Sequence, residues 1–137
     1  MINRTVTAVL DAPASEVFNY LSRIENLPEW ATDFARELKY VDGKAKVVNG
    51  LGEFFVSIDA DPATGVIDIF AGMSADALSL FPTRVIPLDG RRTAYSFTMF
   101  KHPGTPDELF ESQYESLLRE FDNIRKRFSA EKPQCAA

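Results

Sequence analysis

Thr105-Pro106-Asp107-Glu108-Leu109-Phe110 opens a segment, running to Phe128, whose apolar side chains recur at the spacing of a helix. Phe110, Tyr114, Leu117, Phe121, Ile124 and Phe128 fall within an arc of roughly 80° on a helical projection. The far side carries Glu111, Ser112, Glu115, Arg119, Asp122 and Lys126. Thr105 reads as the N-cap, Pro106 as the first helical residue and Glu108 as the carboxylate three positions after the cap. Acids gather in the early turns and Arg125, Lys126 and Arg127 in the last, as the helix dipole favours. Glu115/Arg119 and Asp122/Lys126 are spaced to pair, each worth roughly 0.2–0.5 kcal/mol. Such an aromatic stripe must be buried against another apolar surface.

The preceding chain supplies one. Ile2 to Asp11 alternates: Ile2, Arg4, Val6, Ala8 and Leu10 share one face, and the more polar residues share the other, as in a half-buried strand. Pro13 suits a helix start, with Val17, Phe18 and Leu21 on its inner edge. Ser22-Arg23-Ile24-Glu25 has the capping-box pattern of a second short helix that should stop before Pro28. From Phe34 to Lys101 the punctuation is that of hairpins. Asp42-Gly43, Asn49-Gly50 and Asp89-Gly90 favour tight turns with positive φ, and Asp61-Pro62-Ala63-Thr64-Gly65 a longer one. Six strands centre on Leu38-Tyr40, Ala45-Val48, Phe54-Ile58, Val66-Phe70, Leu78-Ile86 and Thr93-Phe100. Pro82 implies a bulge or an edge position in the fifth of these. With strands in a run and helices segregated, the class is α+β: about seven antiparallel strands curved around the C-terminal helix, with two short helices after the first strand. Residues 1–129 form one domain and 130–137 a disordered tail.

Several functions are disfavoured. The 15 basic and 20 acidic residues give a formal charge of -5, without the basic cluster that nucleic-acid binding requires. The lone Cys135 excludes an intrachain disulfide. No apolar run reaches the ~18 residues of a membrane span, and the N-terminus lacks a signal-peptide layout, so the expected location is cytoplasmic. Gly50-Leu51-Gly52 is no phosphate loop, and no nucleophile elbow occurs. One histidine and one cysteine make no zinc site, and Asp59-Ala60-Asp61-Pro62 departs from a calcium loop after its first residues. Neither metal nor cofactor is expected.

Asp11-Ala12-Pro13-Ala14-Ser15-Glu16-Val17-Phe18 after the first strand and Leu27-Pro28-Glu29-Trp30 at the end of the helix pair resemble the SRPBCC superfamily (START-like, polyketide cyclase/dehydrase). Gly65-Val66-Ile67-Asp68 and Phe97-Thr98-Met99-Phe100-Lys101-His102-Pro103-Gly104 look like phrases from one of its branches, and the resemblance spans residues 2–128. It implies a helix-grip fold with a cavity between the sheet and the last helix. Members include lipid carriers, hormone receptors and aromatase/cyclases, so fold does not fix activity.

Trp30, Phe34, Tyr95, Phe97, Phe110, Tyr114 and Leu117 are expected around that space, with the two tyrosine hydroxyls as polar handles. Asp68 alternates with Val66 and Phe70, and Arg84 with Leu80 and Ile86. If those faces point inward, an acid and a guanidinium could orient a ligand. The opposite registers, Ile67/Ile69/Ala71 and Phe81/Thr83/Val85, are equally apolar and leave both charges outside. A second apolar sheet face would then need a cover, for which another copy of the chain in a homodimer is a candidate. The leading reading is a binding module for a small apolar or aromatic molecule. The alternative is a cyclase- or dehydratase-like enzyme acting on a carbonyl compound, using Asp68, Tyr95, Tyr114 or His102 as acid or base. A third is an interior filled by its own aromatics, in a domain that acts by protein contact.

Overall fold

The computed structural model of the chain describes residues 1–129, so the expectation of a disordered tail lies outside the described residues. Strand β1 (Asn3–Leu10) buries Val6, Ala8 and Leu10 and exposes Thr5, Thr7 and Val9, as its alternation requires. Helix α1 (Ala14–Leu21) starts behind Pro13 and buries Val17, Tyr20 and Leu21. A 3-10 turn (Ile24–Asn26) then leads into α2 (Leu27–Trp30). The capping box expected at Ser22 does not form, because Arg23 holds the cap position and makes no side-chain bond. Pro28 does not end a helix either. It sits in the first turn of α2, where a missing N–H costs nothing.

Six further strands follow: β2 (Glu37–Val41), β3 (Lys44–Asn49), β4 (Gly52–Asp61), β5 (Val66–Ser74), β6 (Ala77–Pro87) and β7 (Thr93–Phe100). All pair antiparallel in one seven-stranded sheet of order β1-β7-β6-β5-β4-β3-β2. The hairpin chemistry is partly as expected. Asp42 and Gly43, at φ 54° and 78°, make the two-residue turn between β2 and β3. Gly50 and Gly90 do not adopt positive φ. Their turns are held instead by side chains: Asn49 Oδ1 accepts from Leu51 N at 2.8 Å, and Asp89 Oδ1 accepts from Arg91 N and Arg92 N at 2.8 and 2.7 Å. Pro82 lies just beyond the end of the β6–β7 register, which pairs Thr83–Pro87 with Thr93–Phe97. From Pro82 back to Ala77, β6 therefore has β5 alone as a paired neighbour, a local edge that tolerates proline.

Helix α3 (Asp107–Arg127) runs 21 residues. Its cap position is Pro106 rather than Thr105, with no side-chain cap bond. The stripe is buried at Phe110, Leu117, Phe121, Ile124 and Phe128, with Tyr114 half-buried. It lies across the concave sheet face formed by Val6, Ala8, Tyr95, Val85, Ile67, Ile69, Val56 and Val47. Each large apolar side chain buried in this contact contributes about 1.5–3 kcal/mol. Asp11 N donates to Phe128 O at 2.9 Å, tying the end of the helix to the end of β1. No helix among the described residues is long and apolar enough to cross a membrane.

Gly65 closes the β4–β5 turn at φ 80°, where a Cβ would stand 2.2 Å from Val85 O. Its own carbonyl accepts from Val85 N at 2.8 Å, so neither partner can retreat. Gly65→Ala should destabilise the fold by more than about 2 kcal/mol, the sum of a left-handed conformation and a backbone clash. Urea denaturation checks this.

Candidate functional site

The face assignment follows from register. Ile67 opposes Thr83 and Ile69 opposes Phe81, and Ile67, Ile69, Thr83 and Val85 are all buried. Tyr95 opposes Val85, and Phe97 opposes Thr83, so both point toward α3. Trp30, at the end of α2, meets Tyr95 edge-on at 6.5 Å between ring centroids. Tyr95 stacks on Phe121 of α3 at 5.5 Å and 20°. Phe97 meets Phe121 edge-on at 6.4 Å and Phe81 at 6.1 Å. The space between sheet and helix is thus an aromatic cluster drawn from α2, β6, β7 and α3.

Two polar atoms in that cluster, Trp30 Nε1 and the Tyr95 hydroxyl, find no hydrogen-bond partner among the described residues, although both are buried. The neighbouring Thr83 hydroxyl donates to Ile67 O at 2.7 Å. Burial pushes the Tyr95 hydroxyl above the ordinary tyrosine range, against a weaker pull from the nearby Thr83 hydroxyl whose contact falls short of hydrogen-bond geometry, so it stays a neutral donor. A buried donor left unpaired costs about 1–3 kcal/mol.

The end of α2 and the loop that follows it are clamped to α3. Asn123 Nδ2 donates to Trp30 O at 3.0 Å and to Thr32 Oγ1 at 3.1 Å. Glu120 Oε2 accepts from Asp33 N at 3.1 Å and Phe34 N at 2.9 Å. Arg119 Nη2 donates to Asp33 Oδ2 at 2.7 Å, and this bond holds the Asp33 carboxyl below its usual range. Asn49 Nδ2 donates to Phe34 O at 2.8 Å from the β3 side. The expected helix pairs are therefore replaced. Arg119 leaves Glu115 for Asp33, and Asp122 pairs with Arg125 at 3.0 Å instead of Lys126.

The remaining candidates separate. Phe110 and Leu117 are buried along the α3 stripe, and Tyr114 is half-buried with the Arg4 guanidinium 5.5 Å from its ring centre. Phe34 is half-buried against the core. His102 is half-buried in the β7–α3 loop, where its carbonyl accepts from Thr105 N. Asp68 and Arg84 are not in the interior. They alternate with the buried Ile67/Ile69 and Thr83/Val85 and so lie on the outer face. Sequence reasoning offered Phe81 and Thr83 only as one of two possible inward registers and missed the Glu120 clamp. A signal for the clamp was present, because Glu120 lies three residues after Leu117 and four before Ile124, at the border of the apolar stripe. An open cleft of about 670 Å³ runs between Ile24, Tyr40, Ala45, Ile58 and Leu78, spanned by a 3.2 Å bond from Tyr40 OH to Glu25 Oε2. Val56 and Ile58, from the inner sheet face, line it and bring it toward the aromatic cluster.

This architecture is shared with solved structures. The protein XoxI from Bacillus cereus matches with a TM-score of 0.74 and 11% identity, over 95% of this chain and 97% of its own. The Zhui aromatase/cyclase from Streptomyces matches at 0.65 and 20%, over 90% and 88%. A START superfamily protein from Mycobacterium smegmatis matches at 0.59 and 17%, over 93% and 99%. The chain has the START-like, polyketide cyclase-like fold. The sequence matches no family model, and no curated protein matches it. At these identities the START-like likeness carries architecture alone.

Burial raises the Glu120 carboxyl from 4.5 to about 7, outweighing its two backbone donors. The folded state therefore favours the protonated form. Its contribution to stability is full below the unfolded value and lost as pH rises through about 7. Unfolding free energy should fall by on the order of 2–3 kcal/mol between pH 4.5 and 7.5. Glu120→Gln, whose amide oxygen still accepts both N–H groups, should flatten that window in denaturant titrations.

Proposed function

We propose that this domain binds a small, uncharged, largely apolar molecule between the sheet and α3. The bound molecule places an acceptor oxygen against Trp30 Nε1 and the Tyr95 hydroxyl. The observation that carries this reading is the pair of buried donors without partners inside an aromatic cluster. Among the described residues no Lys or Arg is buried, so a ligand carboxylate would find no counter-charge there. A ketone, quinone or ether oxygen suits two neutral donors. The likeness in fold to an aromatase/cyclase and a START superfamily protein agrees with such a guest.

The donors are sealed, so access requires ring movement. Phe34, Phe81 and Phe97 are half-buried and are the side chains that can swing with least lost packing. Removing ~200 Å² of ligand surface from water contributes about 5 kcal/mol. Association costs take back most of that, leaving the two hydrogen bonds to decide affinity and orientation. The cyclase-like alternative needs an acid or base in the same space. Asp68 cannot serve from the outer face, and a tyrosine held above its usual range is a poor base at neutral pH.

Tyr95→Phe separates these possibilities. Without ligand it should leave stability unchanged or raise it by up to about 1 kcal/mol, since it deletes an unpaired donor. Calorimetric affinity for 2-acetylnaphthalene should fall roughly tenfold, while that for naphthalene should not change. Equal loss for both compounds, or marked destabilisation of the free protein, refutes the donor role.

A further inference from the structure

We infer that the outer face of the sheet is a self-association surface that pairs two copies of this chain as a reversible two-fold dimer. None of the outward-facing residues of β4, β5 and β6 is buried, so no element among the described residues covers this face. Its centre is apolar, with Phe70 opposite Leu80 and Pro82 one step along. Its charges are uncompensated. Asp59 and Asp68 stand directly opposite each other on β4 and β5, an arrangement of like charges that costs stability. Arg84, one strand over and two residues along from Pro82, makes no ion pair or hydrogen bond among the described residues. Asp59 and Asp68 make none either.

The patch therefore carries both an anionic pair and its cationic complement, displaced from one another. A two-fold axis lying in the interface between Asp68 and Arg84 exchanges their positions. Arg84 of each copy then faces the Asp59/Asp68 pair of the other, Pro82 lies near the axis, and Phe70 and Leu80 are covered toward the rim. An isologous interface needs this self-complementarity, whereas an unrelated partner would have to reproduce it. Size sets the strength. Four strands about 4.8 Å apart, each at least eight residues long at about 3.3 Å per residue, offer a footprint of roughly 500 Å². Stable interfaces bury about 800 Å² per partner, so the dimer should form and dissociate with concentration. This inference is independent of the interior ligand.

Sedimentation velocity of the full chain over a concentration series, in reducing buffer so that Cys135 cannot link copies, reads the association directly. Arg84→Glu alone, and Asp59→Lys with Asp68→Lys, should each weaken the dimer at least tenfold through like-charge repulsion while leaving circular dichroism unchanged. Mixing the two variants should restore association as a one-to-one heterodimer. A wild-type chain that stays monomeric throughout overturns the proposal. So does a dimer indifferent to both variants, or a folded pair of variants that fails to associate on mixing.

Discussion

The contact of Phe121 with Tyr95 and Phe97 is the point on which the rest of the architecture turns. One residue of α3 lies against two from adjacent inward positions of β7, so the helix cannot slide along the sheet without breaking both ring contacts. Through this contact the stripe from Phe110 to Phe128 finds a surface that water would otherwise have to cover. The hydrogen bonds that Arg119 and Asn123 donate to the segment after α2, and that Glu120 accepts from it, follow from the same placement. They lie on the flank of the helix that this packing turns toward α2. Packing sets the position, and polar bonds then fix the loop that presents Trp30.

The arrangement of the elements was legible because it rests on local patterns. The helical period of the stripe, the alternation of β1 and the turn residues of the meander depend on neighbours in sequence. Features that depend on distant neighbours were not legible. Both registers of β5 are apolar, Val66/Phe70 on one side and Ile67/Ile69 on the other. Only pairing with β4 and β6, and the arrival of α3, decides which becomes interior, and this sent Asp68 and Arg84 outward. Trp30 and Tyr95 could be named as interior residues from sequence, but their lack of partners could not be. It depends on where Thr83 sends its hydroxyl, which is to the Ile67 carbonyl.

The turn at Asn49 shows a smaller version of the same limit. Asn-Gly predicts a left-handed pair, and the chain instead bends with the Asn49 side chain holding Leu51 N, while the same residue's amide nitrogen reaches Phe34 O. A residue with one local and one tertiary task departs from the backbone conformation its type prefers. The same competition explains Glu120, an acid buried beside an apolar stripe because two backbone N–H groups await it there.

The sheet order places β1 at one edge with β7 as its neighbour, and Thr5 meets Thr98 across a separation of 93 residues. A ribosome adding about 5–20 residues per second leaves the first strand without its neighbour for roughly 5–20 seconds. The consecutive hairpins from β2 to β7 need no such wait. Of the seven strands, the one synthesised first is therefore among the last to be laid down, and the nascent chain carries Val6, Ala8 and Leu10 uncovered until β7 has been made.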